Sequence, residues 1–468
     1  MRLRRLEIEN FRGIVRLDWR HIGETTALVG PGDSCKSTVL DAIERVLSPR
    51  WNFAFDDSDF HSLETKDPIR ICATVTEGPK AFVKETRFGI AIQALTAEGT
   101  TAAATKQTDK NAFAWVIELR VDASLEPQWN VIDAGGGPHP ISAKDRELLG
   151  MIRVGTYVDA HLGWGRGSAL ARLTERGDSV AMVLADAARR ARHGFPIDGL
   201  DNLRKASSQA VKIAGELGVA MTGSLEPHLD VGALAMGSGA LALHDGDVPM
   251  RRAGLGTRRL LAMALQRDAG AKEGLALVDE IEHGLEPHRI RRLLRVLRGK
   301  APEPPDGKAG QLIFTTHSPT VLSELTPDEV CVVRRDGANH TVTVTAAPND
   351  LRTVLVKVPG ALVARRVVVG EGVTEQGFVL ALGEAWEAAG QPSLAYRGVE
   401  VVDGLGSDMP AKIAGALARV GYTTALLVDS DGKAKTSKAE GAKLLQWAGI
   451  VAIEERIALD LPEEDSER

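Results

Sequence analysis

The chain has 468 residues, with 57 Lys plus Arg against 63 Asp plus Glu, for a formal net charge of −6. That balance excludes a binder driven by overall positive charge, so any contact with nucleic acid must come from a local basic patch. Hydrophobic residues are 44% and charged residues 26%, which is enough to bury a core, and the length implies two or three domains.

Leu3 to Asp18 reads as two short strands around the turn Asn10-Phe11-Arg12-Gly13. Thr26 to Gly30 is an apolar strand that runs into Pro31-Gly32-Asp33-Ser34-Cys35-Lys36-Ser37-Thr38. A helical pattern follows, with Val39, Leu40, Ile43, Val46 and Leu47 on one face. Residues 69–132 contain the β-type runs IRICATV, AFVKETRFGIAI and AFAWVIELRV, with polar loops expected at 97–111 and 133–140. From Ser168 to Gly218 the pattern becomes helical and reads as an insertion. Strand character returns with LALVDE at 275–280 and with QLIFTTH, the two being separated by the Pro/Gly-rich connector 301–310. From about residue 362 the order is β-α-β-α-β, which predicts a small parallel sheet. The cysteines Cys35, Cys72 and Cys331 have no metal-ligand spacing, so a reducing compartment is expected. No apolar run approaches the roughly 20 residues of a membrane helix, and the charged N-terminus lacks a signal peptide's apolar core. The expectation is a cytoplasmic protein with no membrane partner.

The segment Gly30 to Ser37 fits G-x-x-x-x-G-K-[ST] between a strand and a helix, except that Cys35 replaces the second glycine. Backbone N–H groups of such a loop cradle a phosphate at the helix N-terminus. The candidate nucleotide-binding set is therefore Gly30, Gly32, Asp33, Ser34, Cys35, Lys36, Ser37 and Thr38. In it Lys36 would reach the β- and γ-phosphates and the Ser37 hydroxyl would ligand Mg²⁺. Asp279 and Glu280 end an apolar strand, which suits a Mg²⁺ ligand and a base that orients water. His317, after another apolar strand, is placed to sense the γ-phosphate. Gly254 and Gly256 open a helix and offer N–H groups to a phosphate held by a second subunit.

These motifs in this order resemble the ABC-type ATPase heads of the RecF and SMC class, over roughly residues 1–65 and 245–335. The resemblance implies a Walker A loop, a signature segment, a Walker B strand and a switch histidine, with ATP sandwiched between two copies and hence a homodimer or larger homo-oligomer. A Q-loop glutamine is not visible. The insertion lacks sustained heptads, which disfavours a long coiled-coil arm.

In the C-terminal unit Glu371 ends the first strand, and Asp429 and Asp431 follow the third. Parallel strands line up their C-terminal ends on one edge, so these acids can converge. Close carboxylates repel, and a hard divalent cation, Mg²⁺ or Mn²⁺, relieves that cost. Glu375 and Asp403 are further candidates. The pattern resembles the Toprim domain, which makes Glu371 a general acid/base or metal ligand and Asp429 and Asp431 metal ligands.

An ABC-type head followed by a Toprim unit resembles the OLD (overcoming lysogenization defect) family of nucleases, which includes the nuclease subunit of the Gabija antiphage system. The implied organisation is an α/β chain. Residues 1–165 and 236–350 form the ATPase, 166–235 a helical insertion for dimerisation, and 362–468 a Toprim-like domain. Family members often carry a catalytic lysine after the acids, and Lys433, Lys435 and Lys438 stand as substitutes here. Arg289, Arg291, Arg292, Arg295, Arg298 and Lys300 share one helical stretch whose buried stripe is Ile290, Leu293, Leu294 and Leu297. A phosphate-tracking face and an ordinary solvated face are both open for it. The expected activity is ATP-regulated, Mg²⁺- or Mn²⁺-dependent DNA cleavage in antiphage defence or DNA repair, with a second defence protein as a candidate partner. Two alternatives are an ATP-hydrolysing sensor or scaffold with a non-catalytic Toprim-like unit, and a toxin-like effector that cuts RNA.

Overall fold

The computed structural model describes residues 1–105, 109, 112–155, 159–164, 168–174, 186–187, 189–191, 205–210, 241–270, 274–298, 310–430 and 439–460. The chain divides into two compact units, Met1–Thr156 with Ala271–Arg468, and Tyr157–Gly270. The second unit encloses the insertion expected at 166–235, most of which lies outside the described residues. It also takes in the glycine segment at 254–256 and its helix Leu255–Gly270. The C-terminal β/α layers share one unit with the ATPase-like layers rather than standing apart.

The N-terminal hairpin forms because apolar residues alternate along both arms. Arg2–Phe11 pairs antiparallel with Ile14–Arg20, so that Leu6 faces Trp19 and Ile8 faces Leu17, all buried. Arg5, Glu7 and Asp18 take the opposite face and form ion pairs there. Ile69–Thr76 and Phe113–Val121 extend this into an antiparallel sheet, eight-stranded among the described residues. A second sheet has the order Met151–Val154, Leu275–Val278, Gln311–Thr315, Thr25–Val29, Val330–Arg335, Val342–Ala346, and is parallel except for the last strand. The helix Lys36–Leu47 packs between the two sheets and buries Val39, Leu40, Ala42, Ile43, Val46 and Leu47.

Two expectations need correction. The run AFVKETRFGIAI is not a strand but two short 3-10 turns, Lys80–Val83 and Gly89–Ala91. Phe82 meets Phe88 edge-on at 4.9 Å and Trp115 at 6.0 Å, so an aromatic cluster overrides the local β preference. Conversely, Thr101–Ala103 and Pro138–Pro140, both within expected loops, are short strands paired to Gln93–Leu95 and Pro127–Ile132.

The C-terminal layers follow the expected β-α-β-α-β order. The strands are Arg366–Gly370, Val399–Asp403 and Thr423–Leu427, and the helices are Val373–Ala388 and Met409–Arg419. A fourth strand, Lys443–Leu445, and a helix, Ile453–Asp460, complete them. The sheet is fully parallel, with Arg366–Gly370 between Val399–Asp403 and Thr423–Leu427. Among the described residues no helix is long and apolar enough to cross a membrane.

One buried cation fixes the far end of the phosphate-loop helix. Arg146 is 2% exposed and lies 4.1 Å from the Trp129 ring. It donates to the carbonyls of Ser48 (2.8 Å), Ile141 (3.1 Å) and Arg50 (3.2 Å). Burial holds its pKa down to about 10. A cation at a helix C-terminus is favourable, and here it also satisfies carbonyls that have no helical partner. Arg146→Met leaves those carbonyls buried without a donor and should cost on the order of 3 kcal/mol in urea unfolding. A loss below about 1 kcal/mol would show that the guanidinium is not the cap.

Candidate functional site

The six-stranded sheet brings the C-terminal ends of Thr25–Val29, Leu275–Val278 and Gln311–Thr315 to one edge. The phosphate-loop residues, Asp279 with Glu280, and His317 follow those ends. Gly30 needs its missing side chain, since a Cβ there would lie 2.4 Å from the Val333 carbonyl at a φ of +152°. Asp33 and Cys35 adopt left-handed φ values of 60° and 70°. Both positions thus carry strain that glycine would avoid. A Cβ on Gly13 would be 2.9 Å from the Cys35 sulfur, so the thiol packs against the turn of the N-terminal hairpin. Burial pushes that thiol's pKa up, which leaves it an inert packing group.

Lys36 is 6% exposed, and its amine donates to the carbonyls of Gly30 (3.0 Å) and Pro31 (2.8 Å) and to Ser34 Oγ (3.2 Å). Burial lowers its pKa to about 8, against the opposing pull of Asp279 and Asp33. The amine is therefore already inside the loop where an anion would be received, so the residues present fit a nucleotide phosphate. Ser37 Oγ donates to Asp279 Oδ1 at 3.1 Å, and this hard-oxygen pair fits a divalent cation.

Asp279 is a hub. It also accepts from Thr315 Oγ1 at 2.7 Å and faces Arg153 Nη2 at 3.3 Å. Arg153 continues to Asp41 at 3.1 Å, and Asp41 to Arg12 at 2.7 Å. Thr315 Oγ1 in turn accepts from the Glu280 N–H at 2.8 Å and so fixes Glu280 at its positive φ of 46°. Glu280 lies 3.6 Å from His283. Glu282 accepts from the His317 N–H at 2.7 Å and from Thr316 Oγ1 at 2.8 Å. Desolvation, then the charge on Lys36, holds the His317 imidazole below its ordinary pKa. The motifs did not reveal Arg153, Thr315 or Glu282 in these roles. The available signal was a lone arginine inside the apolar strand Met151–Val154.

In the C-terminal sheet, connections leave Arg366–Gly370 toward Val399–Asp403 on one side and continue past Thr423–Leu427 on the other. That is a switch point, where ligands of parallel sheets bind. Glu371 Oε2 accepts from the Asp429 N–H at 3.1 Å, although the two residues are 58 positions apart. Asp429 Oδ1 accepts from Ile453 N at 3.2 Å, at the start of the helix Ile453–Asp460. Asp403 Oδ1 accepts from Leu405 N at 2.8 Å. Glu375 is buried and accepts from Gly372 N at 2.7 Å at the start of its helix, which accounts for its position without a metal. Asp431, Lys433, Lys435 and Lys438 lie outside the described residues. Among the described residues no three His, Cys, Asp or Glu side chains form a metal-holding group.

The basic helix Pro287–Leu297 is less free than its sequence implies. Arg289 pairs with Glu286 (3.1 Å), Arg291 with Glu324 (3.0 Å) and Arg298 with Glu329 (2.8 Å), while Arg292 and Arg295 are exposed. Lys300 lies outside the described residues. In the other unit, Gly254 precedes the helix Leu255–Gly270, its carbonyl accepting from Arg258 N at 3.1 Å. Arg258 also pairs with Asp159 at 2.6 Å.

A family model described as "AAA domain, putative AbiEii toxin, Type IV TA system" matches residues 239–323. Another, "Protein of unknown function (DUF2813)", matches residues 1–88. The chain is 27% identical over 371 residues to an OLD nuclease of Thermus scotoductus, which agrees with the resemblance carried by the motifs. That alignment covers 73% of this chain and 63% of the relative, so the chain spans less than two thirds of the relative's length. Among solved structures, the SMC head domain from Thermotoga maritima aligns with 74% of this chain and 100% of its own, at 12% identity and a TM-score of 0.34. The recombination mediator protein RecF with ATP aligns with 74% of this chain and 97% of its own, at 13% identity and a TM-score of 0.37.

Burial-lowered Lys36 carries its charge below about pH 8 and loses it above. Binding of a nucleotide that needs the ammonium form therefore takes up a proton at high pH. The Kd for ATP should be flat below about pH 7 and rise toward about tenfold per pH unit beyond Lys36's own pKa. A fluorescent-nucleotide titration reads this, and the slope should vanish in Lys36→Met.

Proposed function

We propose that this chain is an OLD-type nuclease in which nucleotide binding at the phosphate loop regulates divalent-metal-dependent cutting of DNA at the C-terminal sheet. The observation that carries the reading is the meeting of Glu371 and Asp429 at the switch point of a parallel sheet, in the same compact unit as a Lys36–Ser37–Asp279 site. The similarity to an OLD nuclease supports it. Bound ATP and its divalent ion would supply charge neutralisation and a polarised phosphoanhydride. Lys36 would hold the phosphate, and Ser37 with Asp279 the ion. Thr315 and Arg153 would orient Asp279, the first as a hydrogen-bond donor and the second as a facing cation. Glu280, its backbone fixed by Thr315, would orient water, and His317 would face the terminal phosphate. At the second site Glu371 and Asp429 would bind the cutting ion together with Asp431. The exposed Arg292 and Arg295 offer the DNA a sequence-independent contact. A homodimer follows from the need for the Gly254–Gly256 segment to complete a partner's nucleotide site, and cytoplasmic antiphage defence or repair is the proposed setting.

A second reading is kept because Asp429 already caps the helix Ile453–Asp460, which is a structural task. On that reading the C-terminal sheet binds a partner protein and does not cut.

A plasmid-nicking assay with Mg²⁺ or Mn²⁺ separates them. Glu371→Gln keeps the acceptor for the Asp429 N–H yet removes the charge, and should lower cutting by about a hundredfold or more while leaving ATP hydrolysis intact. Intact hydrolysis with no cutting of DNA by the unaltered chain under either metal would favour the partner-binding reading. Cutting of RNA alone would make it an RNA-directed effector.

A further inference from the structure

The geometry points to Arg365 as an arginine that the C-terminal sheet contributes to the nucleotide's phosphates, an inference that rests on the nucleotide site proposed above. Arg365 immediately precedes the strand Arg366–Gly370, which Glu371 directly follows. Its Nη2 lies 3.4 Å from Asp33 Oδ2, an acid within the phosphate loop itself.

The placement is built. The Arg365 and Arg366 N–H groups both donate to the Gly398 carbonyl at 3.0 Å. Gly398 has a φ of +63°, and a Cβ there would come within 3.0 Å of Arg365 Cγ and Cδ. The aliphatic stem thus lies across a glycine that leaves room for it, and the guanidinium is directed at the loop. The unit carrying it is docked on the strand beside the loop. The Arg334 guanidinium lies 4.6 Å from the Tyr422 ring. Arg419 and Asp350 form a further ion pair across the same junction. Arg334 follows Val333, whose carbonyl lies against Gly30.

Electrostatics give the reason. The Asp33 side chain is 89% exposed on a loop that receives anions, and a carboxylate there repels a triphosphate. A guanidinium has five donors in a fork, and one end suffices for Asp33. The Arg365 side chain is 60% exposed, so the rest of the fork can take phosphate oxygens, for which its planar geometry is suited. Phosphate contact at Arg365 then acts on the strand that carries Glu371, which gives nucleotide occupancy a direct mechanical route to the cutting acid.

The test is the Kd of a fluorescent ATP analogue with Mg²⁺ on the full chain. Arg365→Ala should weaken binding about tenfold and Arg365→Lys should recover part of the loss, while Asp33→Asn alone supplies the reference affinity for the double variant. Arg365→Gln keeps the stem over Gly398, so it reports the same loss even where the alanine variant loosens the junction. The deciding variant is Asp33→Asn with Arg365→Ala. Continued weak binding supports a phosphate contact. Full recovery would mean that Arg365 only neutralises Asp33, and would overturn the proposal. Unchanged affinity in Arg365→Ala and Arg365→Gln would also overturn it, leaving the nucleotide site itself standing. An unaltered chain that binds no nucleotide would remove that site and this proposal together.

Discussion

Asp279 accepts from Ser37 and Thr315 and faces Arg153, so one carboxylate joins the C-terminal ends of three adjacent parallel strands and the start of the phosphate-loop helix. Two hydroxyl donors and a guanidinium surround this carboxylate, whose side chain is 20% exposed. The dependence runs both ways. Without the carboxylate, the Arg153 cation would lose one acidic partner and keep Asp41 and Glu44, and Thr315 would lose the acceptor that orients it toward the Glu280 N–H. The ion pairs reach further, through Asp41 and Arg12 to Asp59, and tie the N-terminal hairpin to the nucleotide edge.

The C-terminal sheet uses another device at its own edge. Its loops approach so closely that a Cβ on Gly404 would lie 2.2 Å from the Gly370 carbonyl. The Gly406 N–H donates to the Glu371 carbonyl at 2.8 Å, while the Glu371 side chain takes the Asp429 N–H. Backbone donors thus hold the two acids' segments together and soften the repulsion between them. Asp429 additionally closes the start of the last described helix, where its carboxylate accepts from the Ile453 N–H.

The long periodic elements were legible in the sequence. The phosphate-loop helix, the N-terminal hairpin and the whole β-α-β-α-β order follow from apolar spacing and from glycines at their ends, because those patterns depend on neighbours in the chain. The run at 81–92 was misleading for the opposite reason: Phe82 and Phe88 are β-formers locally, yet Trp115, distant in sequence, offers them a better partner. The basic helix shows the same limit. Its own residues include no acid, but Glu324 and Glu329 arrive from the following segments and neutralise part of its charge.

The sequence alone determined which residue types could do chemistry and at which strand ends they would stand: Lys36 and Ser37 after one strand, Asp279 after a second, Glu371 and Asp429 after two more. Motif and period are local properties, so one chain suffices to read them. Only the tertiary structure decided which of these meet. It placed Arg153 on Asp279, gave Glu375 to a helix cap, set Arg365 against Asp33, and joined the C-terminal layers to the ATPase-like layers in one compact unit. Those outcomes depend on pairings between residues far apart along the chain, fixed by sheet order and by the charges each burial leaves to be compensated, and no local pattern encodes either.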